Sequence, residues 1–148
     1  MNSHTFADQI VTISRDYFLD KGEVPGMVFI LTSELGHPLI LLQELDAVPR
    51  EYLADAIQTS LAGRTCQALM IVSEAWTVIA KDTSVAPSKH PDRQEALVFS
   101  FETPNEPTVV QLANIYRNPL TLGDLYKLEG QVSGRLIDLL VSQPVTEA

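Results

Sequence analysis

One cysteine, one tryptophan and only ten basic residues stand in this chain of 148 amino acids. Each scarcity excludes something. The lone Cys66 has no partner for an internal disulfide, which rules out a small oxidised scaffold held by crosslinks. It also lies inside an apolar run, where a thiol is a small core residue rather than a nucleophile. Ten Lys and Arg against nineteen Asp and Glu give a formal net charge of −9. That sign repels polyphosphates, so no nucleic-acid partner is expected. Lys81, Lys89 and Arg93 are the nearest approach to a basic cluster, and Asp82 and Asp92 dilute them. The acidic residues are scattered rather than set in the dense rows that charge mimicry of DNA would need. Long apolar runs are missing too. The stretches 27–31 and 68–72 fall far short of the roughly 20 residues of a membrane-crossing helix, so no membrane partner is expected. The opening Met-Asn-Ser-His-Thr-Phe-Ala-Asp lacks a basic stretch followed by an apolar core, so no signal peptide is expected. No HExxH, CxxC, GxSxG or phosphate-loop pattern occurs. These absences point to a soluble cytoplasmic protein that needs neither cofactor nor metal.

What is present is an ordinary globular composition, with 45% apolar and 20% charged residues in a length that suits one domain. The expectation is a single domain over 1–148, with 143–148 as a frayed tail. Thr5 is placed to cap a first helix, with Asp8 at the capping-box position. Phe6, Ile10, Ile13 and Tyr17 follow at helical spacing, joined by Val11 and Phe18. Gly22 ends the helix. Strands are expected over 27–33 and 38–44, joined as a hairpin. A second helix starts over Asp46 to Pro49, with Pro49 suited to the first turn, carries Leu53, Ile57 and Leu61 as its stripe, and closes at Gly63. Strands over 66–80 and 95–102 flank a wide polar connector, 81–94, and a fifth strand covers 108–117. A last helix is expected within 124–141, with Leu125, Leu128, Val132, Leu136, Leu139 and Leu140 as its apolar positions. The fold class is therefore α+β, in the order α-β-β-α-β-β-β-α, with helices packed on a mainly antiparallel five-stranded sheet. Roadblock-like and profilin-like domains share this element order, an analogy of fold that carries no function.

The strands are apolar on both parities. In the third, Cys66, Ala68, Met70, Val72, Glu74, Trp76 and Val78 alternate with Leu69, Ile71, Ser73, Ala75, Thr77 and Ile79. A sheet wetted on one side would alternate apolar with polar. Three helices cover two faces of a five-stranded sheet incompletely, so a second copy of the chain is expected to cover the remainder, giving a homodimer.

Candidates for chemistry gather at one hairpin. His90 and Asp92 in the connector, with Glu95 at the strand edge and Glu74 or Ser73 opposite, supply ligand and base types for a small hydrolase, with or without a metal. Hairpin geometry opposes it: if Ala80 pairs near Glu95, then Glu74 pairs near Phe101, and the two carboxylates stand on the order of 20 Å apart. Glu74 within an apolar run needs a partner, and Arg93, Lys81 and Arg117 are the available cations. Trp76 and Arg93 are the candidate binding residues. The combination Val72-Ser-Glu-Ala-Trp76, a polar loop, and Pro91-Asp-Arg-Gln-Glu-Ala-Leu97 resembles a pattern in small bacterial and phage proteins. That group has no activity to carry over, so the resemblance implies only that Glu74, Trp76, Asp92, Arg93 and Glu95 matter. The function expected from the chain is a non-enzymatic, homodimeric protein-interaction module, with the hydrolase as the alternative.

Overall fold

Asn2, rather than Thr5, opens the first helix of the computed structural model, which describes residues 2–42, 49–77 and 93–128. The Asn2 side-chain oxygen accepts the Thr5 N–H at 2.8 Å, which moves Thr5 inside the first turn. Helix α1 then runs Ser3–Lys21 and ends at Gly22, whose N–H donates to the Phe18 carbonyl oxygen. Gly22 sits at φ +80°, a left-handed turn that glycine makes without a Cβ penalty. The buried row is Phe6, Ile10, Ser14 and Phe18, spaced strictly by four. Ile13 and Tyr17, expected in the stripe, are exposed. A helix laid on a sheet buries a narrow row, and mixed three-and-four spacing spans more of its circumference than that row can hold.

Strands β1 (Met27–Thr32) and β2 (Leu39–Leu42) form the expected hairpin, and helix α2 (Arg50–Leu61) leads from Pro49 into β3 (Cys66–Thr77), β4 (Gln94–Glu102) and β5 (Val109–Tyr116). The first seven elements keep the expected order. Two short strands follow them: Thr121–Leu122 (β6), ahead of the span expected to hold the last helix, and Tyr126–Lys127 (β7), inside it. Both pair antiparallel with β5. They are two halves of one broken edge, since three residues, 123–125, oppose only Ala113 and Asn114. The apolar spacing of Leu125 and Leu128 suits a helix, but β5 needs a partner along its outer side, and ladder bonds outweigh so weak a period. The rest of the expected helix lies outside the described residues, as do 43–48 of the second strand and 78–92 of the connector. Among the described residues the sheet therefore has seven strands instead of the expected five, in the order β2-β1-β3-β4-β5-β6, with β7 also on β5. All pairings are antiparallel. Among the described residues, no helix is long and apolar enough to cross a membrane.

One face of the sheet packs under α1. Phe29, Leu31, Ala68, Met70, Val72, Leu97, Phe99 and Ile115 meet Phe6, Ile10 and Phe18 there. The other face packs Val28, Ile30, Leu69 and Ile71 against Leu53, Ile57 and Leu61 of α2, and a further cluster, Ala96, Val110 and Leu112, is buried beyond it. Both faces are thus apolar, as their sequences indicate, but both are covered within one chain. An uncovered face is not the ground for a second copy. Among the described residues, the large apolar side chains that remain exposed are Ile13, Tyr17, Leu19, Ile40, Tyr52, Trp76 and Tyr116.

A register shift between Leu31 and Thr32 sets Thr32 opposite Cys66, with Gln67 as the extra residue. A bulge of one residue reverses side-chain alternation. Cys66, expected to share a face with Ala68 and Met70, accordingly packs with the α2 cluster instead.

Candidate functional site

The hairpin of β3 and β4 pairs Trp76 with Glu95 and Glu74 with Leu97. Directly opposed residues share a face, so Glu74, Trp76, Glu95 and Leu97 all lie on the α1 side. This register differs by four residues from the expected one, which paired Ala80 with Glu95. Glu74 and Glu95 are therefore diagonal neighbours instead of distant ones.

Arg117 follows directly on β5 and serves both carboxylates. Its Nη2 donates to Glu95 Oε1 at 2.7 Å and its Nε to Glu95 Oε2 at 3.0 Å. Two parallel N–H bonds to one carboxylate form the fork geometry that favours Arg over Lys. The same Nη2 stands 3.6 Å from Glu74 Oε1. The other Glu74 oxygen accepts the Val24 N–H at 3.1 Å, while Arg117 Nη1 reaches the Gly22 carbonyl at 3.5 Å. The Phe18 ring lies 6.0 Å from the guanidinium carbon. The bond from Arg117 holds the Glu95 carboxyl below its ordinary range, against the smaller opposing effect of burial. The arrangement pins the α1–β1 connection, 22–26, as it passes from the end of β5 back toward β1. Glu74, the least comfortable residue of its strand, thus receives a backbone N–H and a cation.

Beyond this clasp the hairpin carries Trp76 and Arg93 on the same face. The Arg93 guanidinium lies over the indole, 5.0 Å from the ring centroid, a cation–π geometry. Trp76 remains 44% exposed. The strand pair beneath is well tied: the Thr77 hydroxyl donates to the Gln94 carbonyl at 3.0 Å. The Gln94 amide donates to the carbonyls of Glu95 and Ile115, each at 3.0 Å.

Of the residues singled out from sequence, Glu74, Trp76, Arg93 and Glu95 come together here. Ser73, next to Glu74 in the strand, is on the opposite face, with Val98 as its neighbour. His90 and Asp92 lie outside the described residues. The residue that organises the cluster, Arg117, stood only among three possible partners for Glu74, because nothing local in Ile115-Tyr-Arg-Asn-Pro119 marks it. Chemically, the cluster is a set of satisfied charges. Glu95 accepts from Arg117 with both oxygens, and a carboxyl held below its ordinary range is a weaker base. Among the described residues, no group of three or more His, Cys, Asp or Glu is placed to hold a metal ion. On the far face, burial and then the neighbouring Glu102 push the Cys66 thiol up to about 11, the direction opposite to that of a reactive cysteine. No family model, no curated protein and no solved structure matches this chain.

Proposed function

We propose that the protein is a binding module rather than an enzyme. It grips a protein partner with the Trp76–Arg93 end of the β3–β4 hairpin, and it works in the cytoplasm as a homodimer. The observation that carries this reading is Trp76 itself: a large indole, 44% exposed, with Arg93 laid over it, on a strand pair braced by the Arg117–Glu95 fork. Trp and Arg are the side chains that most often anchor protein interfaces. A rigid mount lowers the entropy lost on docking. The unpaired Cys66 suits a reducing compartment.

The test is affinity capture from native extract with wild-type, Trp76→Ala and Arg93→Glu baits. A specific partner should be recovered by the wild type and reduced about tenfold or more by either substitution, the loss expected of an anchor residue. Unchanged recovery by both variants, with melting curves showing them folded, would overturn the assignment. The competing hydrolase would declare itself differently: a thermal shift of several degrees on adding a divalent metal, abolished in His90→Ala.

A further inference from the structure

We infer that residues 119–125 form a strap that opens by itself, ahead of the rest of the sheet, and that Arg15 biases it toward opening. The strap leaves the end of β5, touches α1 through β6, and returns to β5 as β7. Few ladder bonds hold it. β6 contributes the pairs Ile115 with Leu122 and Tyr116 with Thr121, and the Gly123 N–H donates to the Asn114 carbonyl at 2.8 Å. Residues 123–125 then bulge before β7 begins. The side chains that seat the strap, Leu120, Leu122 and Leu125, are only half-buried at the margin of the α1 core. The strands at the centre of that core bury theirs fully.

Arg15 reaches the strap from α1. Its Nη2 donates to the Gly123 carbonyl at 3.2 Å. Its Nη1 is closed off from solvent and has no acceptor among the described residues. Arg15 enters none of the ion pairs among those residues. The contrast with Arg117 is direct: there a carboxylate fork meets the guanidinium, and here one neutral carbonyl does. A single bond to a carbonyl is a modest gain. A buried donor left unmade forfeits the hydration of its N–H groups. Lifting the strap returns Nη1 to water, so the closed form carries a penalty that its apolar contacts must offset. Opening leaves the core alone, because β5 keeps its own ladder with β4. It uncovers the outer edge of β5 from Asn114 to Tyr116 together with the Arg15 guanidinium. Partial openings of this kind occupy the low end of a protein's range of local stabilities.

Native-state hydrogen exchange, read residue by residue by NMR, tests the inference, with the Gly123 amide as reporter and the ladder amides of β3 and β4 as reference. In the wild type the Gly123 amide should exchange roughly a hundredfold or more faster than the reference. Its rate should barely respond to low urea, because a small opening exposes little surface. Arg15→Met keeps an unbranched stem and removes the guanidinium. It should slow Gly123 exchange about fivefold to tenfold, although it deletes the side-chain bond to the strap. Leu122→Ala, which removes a seating contact, should speed it. A Gly123 amide that exchanges only together with the reference amides would show that no separate strap exists. Faster exchange in Arg15→Met would show that Arg15 fastens the strap, and the inference would fall on that ground. Both readings are independent of the partner-capture test, which reports on Trp76.

Discussion

Removing the guanidinium of Arg117 should cost more than an exposed ion pair and less than a buried one, and the two cases can be separated by sign. Arg117→Ala deletes two charge-assisted bonds to Glu95, at 2.7 and 3.0 Å, and the 3.6 Å approach to Glu74. The carboxylate side chains are 26% and 25% exposed and the Arg117 side chain 44%. Fully exposed pairs contribute about 0.2–1 kcal/mol, while hydrogen bonds to charged groups reach about 1.5–3 kcal/mol when water is excluded. A site between these limits gives a loss of about 1.5 kcal/mol. For a chain of this size that is a fall in melting temperature of roughly 3–6 °C. Urea titration at neutral pH should show the midpoint falling with the slope unchanged, since the surface exposed on unfolding is unaltered. The sharper expectation concerns Glu95→Gln. In the wild type it should destabilise, because the fork loses a charge. In Arg117→Ala it should stabilise, because Glu74 and Glu95 are then adjacent carboxylates with no cation between them. The corresponding coupling energy in a double-mutant cycle should be about 1 kcal/mol. The structure also ranks two deletions: Glu74→Leu should cost less than Arg117→Ala, because it removes a burden of desolvation instead of stranding one. Additive effects of Arg117→Ala and Glu95→Gln, or a loss below about 0.3 kcal/mol for Arg117→Ala, would show that the clasp is an ordinary surface contact.

Two titrations should mark stability at opposite ends of the pH range. Glu95 has a folded pKa below its ordinary value of 4.5, so the unfolded chain takes up its proton first as pH falls. Its contribution is complete above that ordinary value and drains away as pH descends through the lower folded one. Urea midpoints measured down the acid limb should therefore converge for wild type and Glu95→Gln, and parallel curves would refute the assignment. Cys66 behaves in reverse: its folded pKa is pushed from 9.0 up to about 11, so the unfolded thiol ionises first as pH rises. Stability should decline across that interval and decline less in Cys66→Ser, while alkylation of the half-buried thiol at mildly basic pH should be slower in the native protein than in denaturant. Rapid alkylation of the native protein would contradict the burial.

The order of the first seven elements was legible because each of them rests on a local signal. Gly22 marks the end of α1, Pro49 the start of α2, and the period changes between helices and strands. Register was not legible, and the reason is arithmetic. Pairing Ala80 with Glu95 and pairing Trp76 with Glu95 differ by four residues, an even slip. Even slips leave every side chain on its own face, so the apolar pattern cannot tell them apart. Val78, Ile79 and Ala80 continue the pattern of β3, and nothing in them says where pairing should stop. The bulge at Gln67 is the opposite case. It reverses one residue, Cys66, at a position whose neighbours are tolerant of either face, so no local conflict announces it. The cluster inherits these limits. That Glu74 would need a partner follows from a carboxylate in an apolar strand. That the partner is Arg117 follows only once β3 is registered on β4 and β4 on β5, because Trp76 then stands beside Glu95 and Ala96 beside Asn114. Arg117, three residues beyond Asn114, is thereby delivered to the end of the sheet where both carboxylates stand. A slip of two residues of β5 on β4 would keep the core intact and separate Arg117 from Glu95 by about 7 Å along the strand, and the same slip of β3 on β4 would carry Glu74 away from both. The clasp is therefore a consequence of register, and once formed it opposes the even slips that the apolar pattern alone would allow.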